Sequence, residues 1–85
     1  MVEFDLALTA DEALAECLRR GLVVAGERPL AGRPDSRHWH LRMADRPGTL
    51  ELSKDGDRVW VQVHPRRAGE WAPDLARELA TLRPG

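Results

Sequence analysis

Three histidines are the side chains of this sequence best suited to chemistry near neutral pH, and their spacing places them on strands. His38 and His40 are separated by one residue, and His64 ends the apolar–polar alternation of residues 58–64. Successive side chains of a strand point to opposite faces, so His38 and His40 share a face, and His64 lies on the polar face of its own strand. Because imidazole titrates near neutrality and binds metals, acid–base catalysis and metal binding are the two chemistries to consider.

Metal binding has only partial support in the sequence. His38 and His40, with Glu51 expected beside His40, offer three ligands for a divalent ion. A structural zinc site normally has four spaced Cys or His ligands, and we expect His64 to lie apart, toward the other end of the sheet. We therefore predict no metal site and no cofactor.

Catalysis by a protein nucleophile is not favoured either. Ser36 and Ser53 lack a glycine elbow, and Cys17 falls on the inner face of a predicted helix. A strand-borne histidine with arginines nearby would suit RNA cleavage, where the attacking group is the substrate's own 2′-hydroxyl and the protein supplies a base and positive charge. Whether the chain is an enzyme stays open. We lean against it, and a metal-independent ribonuclease is the enzyme to consider.

The strands that would position these side chains form two hairpins. Residues 37–43, 49–53 and 58–64 alternate apolar and polar, and the Asp55-Gly56 pair is a strong hairpin signal. This turn predicts that Leu52 faces Val59 and that Glu51 faces Trp60. A four-residue first turn places Leu41 opposite Leu50 and His40 opposite Glu51. The expected result is a row His40–Glu51–Trp60 across the outer face.

The polar side of this sheet is the candidate working surface. Its predicted members are His40, Arg42, Glu51, Arg58, Trp60, Gln62, Arg66 and Arg67. An exposed Trp60 could stack a nucleobase, or it could be covered by a protein partner, by a second copy or by residues 26–36. Residues 65–69 could hold a phosphate or form a plain solvated loop. We expect a non-enzymatic interaction module that self-associates or binds a protein partner through this face. Nucleic acid is the alternative ligand, and no membrane binding is expected.

The flanking segments complete an α+β fold. Residues 2–8 alternate as a short strand, Thr9 and Glu12 form a capping box for a helix reaching about Arg20, and a last helix carries apolar residues from Trp71 to Leu82. Residues 22–25 suggest a brief strand and 26–36 an irregular loop; whether 2–8 and 22–25 join the sheet is left open. We predict one domain, 1–85, with an antiparallel sheet of three or four strands and both helices packed on one face. The residues expected beneath the helices are Trp39, Leu41, Leu50, Leu52, Val59, Val61 and Val63.

Composition limits where this domain is expected to be found in the cell. The chain has 85 residues and a net charge of −1, but residues 28–46 carry five arginines against two aspartates while residues 1–27 carry six acids against two arginines. The longest apolar run, 22–25, is far too short to span a bilayer. Cys17 is the single cysteine, and no leader-like segment opens the chain, so we expect a cytoplasmic protein.

Part of the sequence resembles a known family. The segments 37–42, 45–48 and 58–65, followed by a proline-started helix, are similar to HicA-type mRNA interferase toxins over roughly residues 36–82. The resemblance implies a fold like that of double-stranded-RNA-binding domains and a catalytic histidine at His38. The chain departs from that family in having Ser36-Arg37 where the family has Gly-Ser, in an additional strand at 49–57, and in its near-neutral charge.

Overall fold

Five antiparallel strands and two helices make up the computed structural model, which describes residues 1–67 and 69–85. In chain order they are β1 (Val2–Asp5), α1 (Ala10–Arg19), β2 (Leu22–Leu30), β3 (Arg33–Met43), β4 (Thr49–Asp55), β5 (Arg58–Val63) and α2 (Trp71–Thr81). The strands form a single sheet in the order β1-β5-β4-β3-β2. The predicted α+β class and antiparallel sheet are confirmed, but the expectation of three or four strands is wrong.

The long β2–β3 hairpin accounts for the largest difference from the sequence analysis. Residues 26–36, expected as an irregular loop, extend both strands to a two-residue turn, with Leu30 paired to Arg33 and Gly32 at φ 73°. The register shifts between Val24 and Gly26 and again between Arg28 and Leu30. Such irregularities let an edge strand accommodate Gly and Pro29, whose presence had suggested a loop.

The first segment of the chain also joins the sheet. β1 pairs with β5, which makes β5 an interior strand with neighbours on both sides. The predicted capping box follows, because the Thr9 side chain accepts from the Glu12 backbone while the Glu12 carboxylate accepts from the Thr9 backbone. No helix in the described part of the chain is long and apolar enough to cross a membrane.

The hydrophobic core contains all seven strand residues expected to be apolar and inward. They are Trp39, Leu41, Leu50, Leu52, Val59, Val61 and Val63. The same core cluster includes buried residues of both helices, among them Cys17 from α1 and Trp71 and Leu79 from α2. Since alternate strand residues point away from this core, the polar residues between them share the outer face.

Candidate functional site

Strand register decides which polar side chains meet on the outer face. Between β3 and β4 the predicted register is confirmed, with His40 opposite Glu51 and Leu41 opposite Leu50. Between β4 and β5 the prediction is wrong by two residues: Glu51 lies opposite Gln62, and Leu52 lies opposite Val61. The turn is made by Gly56 and Asp57, with Gly56 at φ 59°, instead of by Asp55 and Gly56. Because side chains alternate with a period of two, this slip leaves every residue on its predicted face.

The shifted register brings all three histidines to one carboxylate. Glu51 Oε1 lies 3.3 Å from His38 Nε2 and 3.5 Å from His40 Nδ1, and Glu51 Oε2 lies against His64 Nε2. The expectation that His64 lies apart from the other two is therefore wrong. The physical reason is the turn between β4 and β5. Its two-residue slip places Gln62 opposite Glu51, so His64 is the next residue of β5's polar face, two positions further along the chain.

Neighbouring side chains orient this histidine cluster, which we define as His38, His40, Glu51 and His64. His38 Nδ1 lies 2.5 Å from the hydroxyl of the fully buried Ser53, and the rings of His38 and His40 meet edge to face at 4.8 Å. The side chains of His38 and Glu51 are 8% and 10% exposed, whereas those of His40 and His64 are 28% and 32% exposed. The carboxylate thus lies deep in the cluster, and two of the imidazoles border the solvent.

Electrostatics favour an ionised Glu51 and a neutral His40. Burial by itself raises the pKa of the Glu51 carboxyl, but the hydrogen bond with His38 and the charges of the three histidines outweigh it, and the pKa is lowered overall. Burial lowers the pKa of His40, Glu51 opposes that shift, and His38, Arg28 and Arg67 add to it. The surroundings therefore favour the charged form of the buried Glu51 carboxylate and disfavour a charge on His40.

Trp60 is not the exposed aromatic that the sequence suggested. It is 7% exposed, and its Nε1 has no hydrogen-bond partner among the described residues. The Arg58 guanidinium lies 4.2 Å from the centre of its ring. Trp60 stands between Ser53 on β4 and Asp5 on β1, because β1 has joined the sheet beyond β5. An indole in this position offers little open surface for stacking a base.

Two further members of the predicted surface are engaged by β1. Arg58 forms ion pairs with Asp5 at 3.0 Å and with Glu3 at 3.3 Å, and the Gln62 side-chain amide donates to Glu3 at 2.8 Å. The positive charge of Arg58 is therefore balanced within the chain. Sequence analysis missed both acids because it left open whether residues 2–8 join the sheet, although their alternation had placed Glu3 and Asp5 on one face.

The remaining predicted arginines are exposed. Arg42, Arg66 and Arg67 form no ion pair with the described residues, and the same holds for Arg28, which was missed because it lay in the expected loop. Arg28 and Arg67 are close enough to His40 to affect its pKa. The Arg67 carbonyl also accepts from the Thr49 backbone at 2.6 Å, which ties this turn to the start of β4. Ala68, part of the 65–69 segment considered for phosphate binding, lies outside the described residues.

Ser53 is the other residue that sequence reasoning undervalued. It was considered only as a nucleophile, and its role in the structure is to hold the His38 ring. The signal was present in the alternation of β4, since Ser53 follows Glu51 by two positions on the same face.

Comparison of the chain with protein-family models, with curated proteins and with solved structures found no match.

Proposed function

We propose that this protein is a non-enzymatic interaction module that binds an acidic protein partner through the outer face of its sheet. In this proposal both helices cover the apolar face and leave the polar face accessible. The observation that carries it is a set of exposed arginines that form no ion pair with the described residues: Arg28 and Arg67, which act on His40, and Arg42 and Arg66. Positive side chains without internal partners favour a negatively charged ligand.

A protein partner is preferred to nucleic acid because of Trp60. Single-strand binding surfaces combine a basic groove with aromatic side chains on which bases stack. Trp60, the aromatic residue expected to play that part, is 7% exposed and has a guanidinium over its ring. The net charge of −1 also differs from that of typical nucleic-acid binders. A second copy could serve as the partner, since residues 1–27 carry six acids.

Charge reversal tests this proposal with a matched control. The double variant Arg28→Glu/Arg67→Glu should weaken binding of a labelled oligo-glutamate peptide at least tenfold in fluorescence anisotropy at low ionic strength. Arg77→Glu/Arg83→Glu, which changes the net charge equally on α2 and the C-terminal tail, should have little effect. Size-exclusion chromatography with light scattering shows whether a second copy is the partner. Equal losses in both double variants, or no binding by the wild type, would contradict the proposal.

RNA cleavage with His38 as the base is the alternative suggested by the HicA resemblance. Both ring nitrogens of His38 lie near protein partners, Ser53 and Glu51, and the side chain is 8% exposed. A substrate hydroxyl would have to displace one of these contacts, which favours binding over cleavage. Incubation of purified protein with RNA separates the two: cleavage by the wild type that is lost in a folded His38→Ala variant would establish the alternative.

A further inference from the structure

We propose that the histidine cluster, His38, His40, Glu51 and His64, is a binding site for a divalent transition-metal ion of the zinc class. The proposal is independent of the nature of the protein's partner, because it rests only on side chains of β3 and β4 and on His64, which directly follows β5.

The first argument is the spacing of the ligand atoms. One nitrogen each from His38 and His40 and a carboxylate oxygen from Glu51 lie within 4.8 Å of one another. Tetrahedral zinc with bonds of about 2.0–2.2 Å holds its ligand atoms about 3.4 Å apart. The gaps of 3.3 Å and 3.5 Å from Glu51 Oε1 to His38 and His40 match that separation. They exceed the roughly 2.7–2.9 Å typical of charge-assisted hydrogen bonds.

The second argument is the state of the carboxylate. The Glu51 side chain is nine-tenths buried, and His64 Nε2 touches Oε2 without the geometry of a hydrogen bond. As a result this oxygen has no hydrogen-bond donor among the described residues. A buried anionic oxygen normally has such a donor or binds a cation. A cation coordinated by Glu51 together with the imidazoles of His38 and His40 would give this carboxylate a positive partner.

The third argument is the donor set and its support. His38, His40 and Glu51 supply three ligands of a zinc site, and His64 would supply the fourth once its ring turns from Glu51 Oε2 toward the ion. Imidazole also suits copper and nickel. Ser53 engages His38 Nδ1 and leaves Nε2 directed at Glu51, as the outer neighbours of metal-bound histidines do. The partly exposed rings of His40 and His64 provide a route for the ion. Arg28 and Arg67, which lie near His40, oppose a cation and limit its affinity.

The test uses the full chain without a polyhistidine tag, stripped of metal by a chelator. Titration with Zn²⁺ by calorimetry should show one equivalent bound per chain, and Co²⁺ should give the intense visible absorption of tetrahedral coordination. We expect Ser53→Ala to weaken Zn²⁺ binding about tenfold or more, in line with losses of outer neighbours at other metal sites. Zn²⁺ should also raise the melting temperature of the wild type, because the ion binds the folded state.

Two ligand variants and one control decide the outcome. His64→Gln removes a ligand at a partly exposed position where folding should persist, and Glu51→Gln removes the carboxylate. Each should abolish the Co²⁺ spectrum, while Glu27→Gln, the same change at an exposed residue, should leave it intact. Circular dichroism verifies that each variant is folded. No Zn²⁺ binding by the wild type, or binding unchanged in the folded His64→Gln variant, would overturn the proposal.

Discussion

His64 Nε2 lies against Glu51 Oε2 although the two residues are diagonal, not directly opposite, across β4 and β5. Glu51 pairs with Gln62, so His64 follows by two positions, about 7 Å along the strand and on the same face. If Glu51 had paired with Trp60, His64 would lie about 13 Å along the strand from that position. A two-residue change of register thus decides whether the third histidine joins the cluster.

Removal of the carboxylate should destabilise the metal-free protein. Glu51→Gln takes away the negative charge that three imidazoles surround, and we expect the free energy of unfolding to fall by about 1–3 kcal/mol. Urea denaturation monitored by circular dichroism measures this loss. Glu27→Gln, which breaks the exposed pair with Arg37, should cost less than about 1 kcal/mol. Similar losses in the two variants would show that Glu51 does not stabilise the cluster.

Acidification should lower the stability of the metal-free protein in two stages. The pKa of His40 is lowered from 6.5, chiefly by burial, so below pH 6.5 the unfolded chain takes up this proton more readily than the folded chain. The pKa of Glu51 is lowered from 4.5, although burial opposes the shift. The stability that the ionised Glu51 carboxylate contributes is therefore present above pH 4.5 and is lost as the pH falls through the pKa of Glu51 in the folded protein.

Denaturation at a series of pH values, with chelator present, measures both stages. His40→Gln should flatten the profile just below pH 6.5, and Glu51→Gln should flatten it below pH 4.5. If stability increased on acidification, or if both variants kept the wild-type profile, the two stages could not be assigned to His40 and Glu51.

Three glycines, one in β2 and two in turns, form a graded series for substitution by alanine. Gly26→Ala should have a small effect, since a Cβ there meets open space and φ is not left-handed. Gly56→Ala should cost about 1–2 kcal/mol because φ is 59° in the turn between β4 and β5. Gly69→Ala should cost more, because φ is 65° and the new Cβ would lie 2.5 Å from the Pro47 carbonyl oxygen. Thermal melts give the order, and an order in which Gly26→Ala is worst would refute it.

The single cysteine should be inert in the folded protein. Burial raises the pKa of the Cys17 thiol to about 11, so almost no thiolate is present near pH 8. Ellman's reagent should label Cys17 slowly in native protein and rapidly in denaturant. Because the folded pKa is raised from 9.0, the stability contributed by the neutral thiol should be lost as the pH rises from 9 toward 11. Fast labelling under native conditions would contradict this burial.

Local patterns in the sequence were sufficient for much of the fold. Alternation assigned the inward face of β3, β4 and β5, because side-chain direction in a strand follows from position alone. The capping box of Thr9 and Glu12 located the start of α1, since both of its hydrogen bonds are made within four residues. These features need no knowledge of distant partners.

Pairing between distant segments was decided only in the tertiary structure. Asp55-Gly56 and Gly56-Asp57 are both acceptable two-residue turns, and both registers place Leu52 opposite a valine, although the observed register also sets Val59 opposite Lys54. Local patterns therefore do not select the observed register. The burial of Trp60 depends on β1 joining the sheet beyond β5, a contact between residues more than fifty positions apart. The sequence by itself determined that the histidines face away from the core, and the register determined that all three surround Glu51.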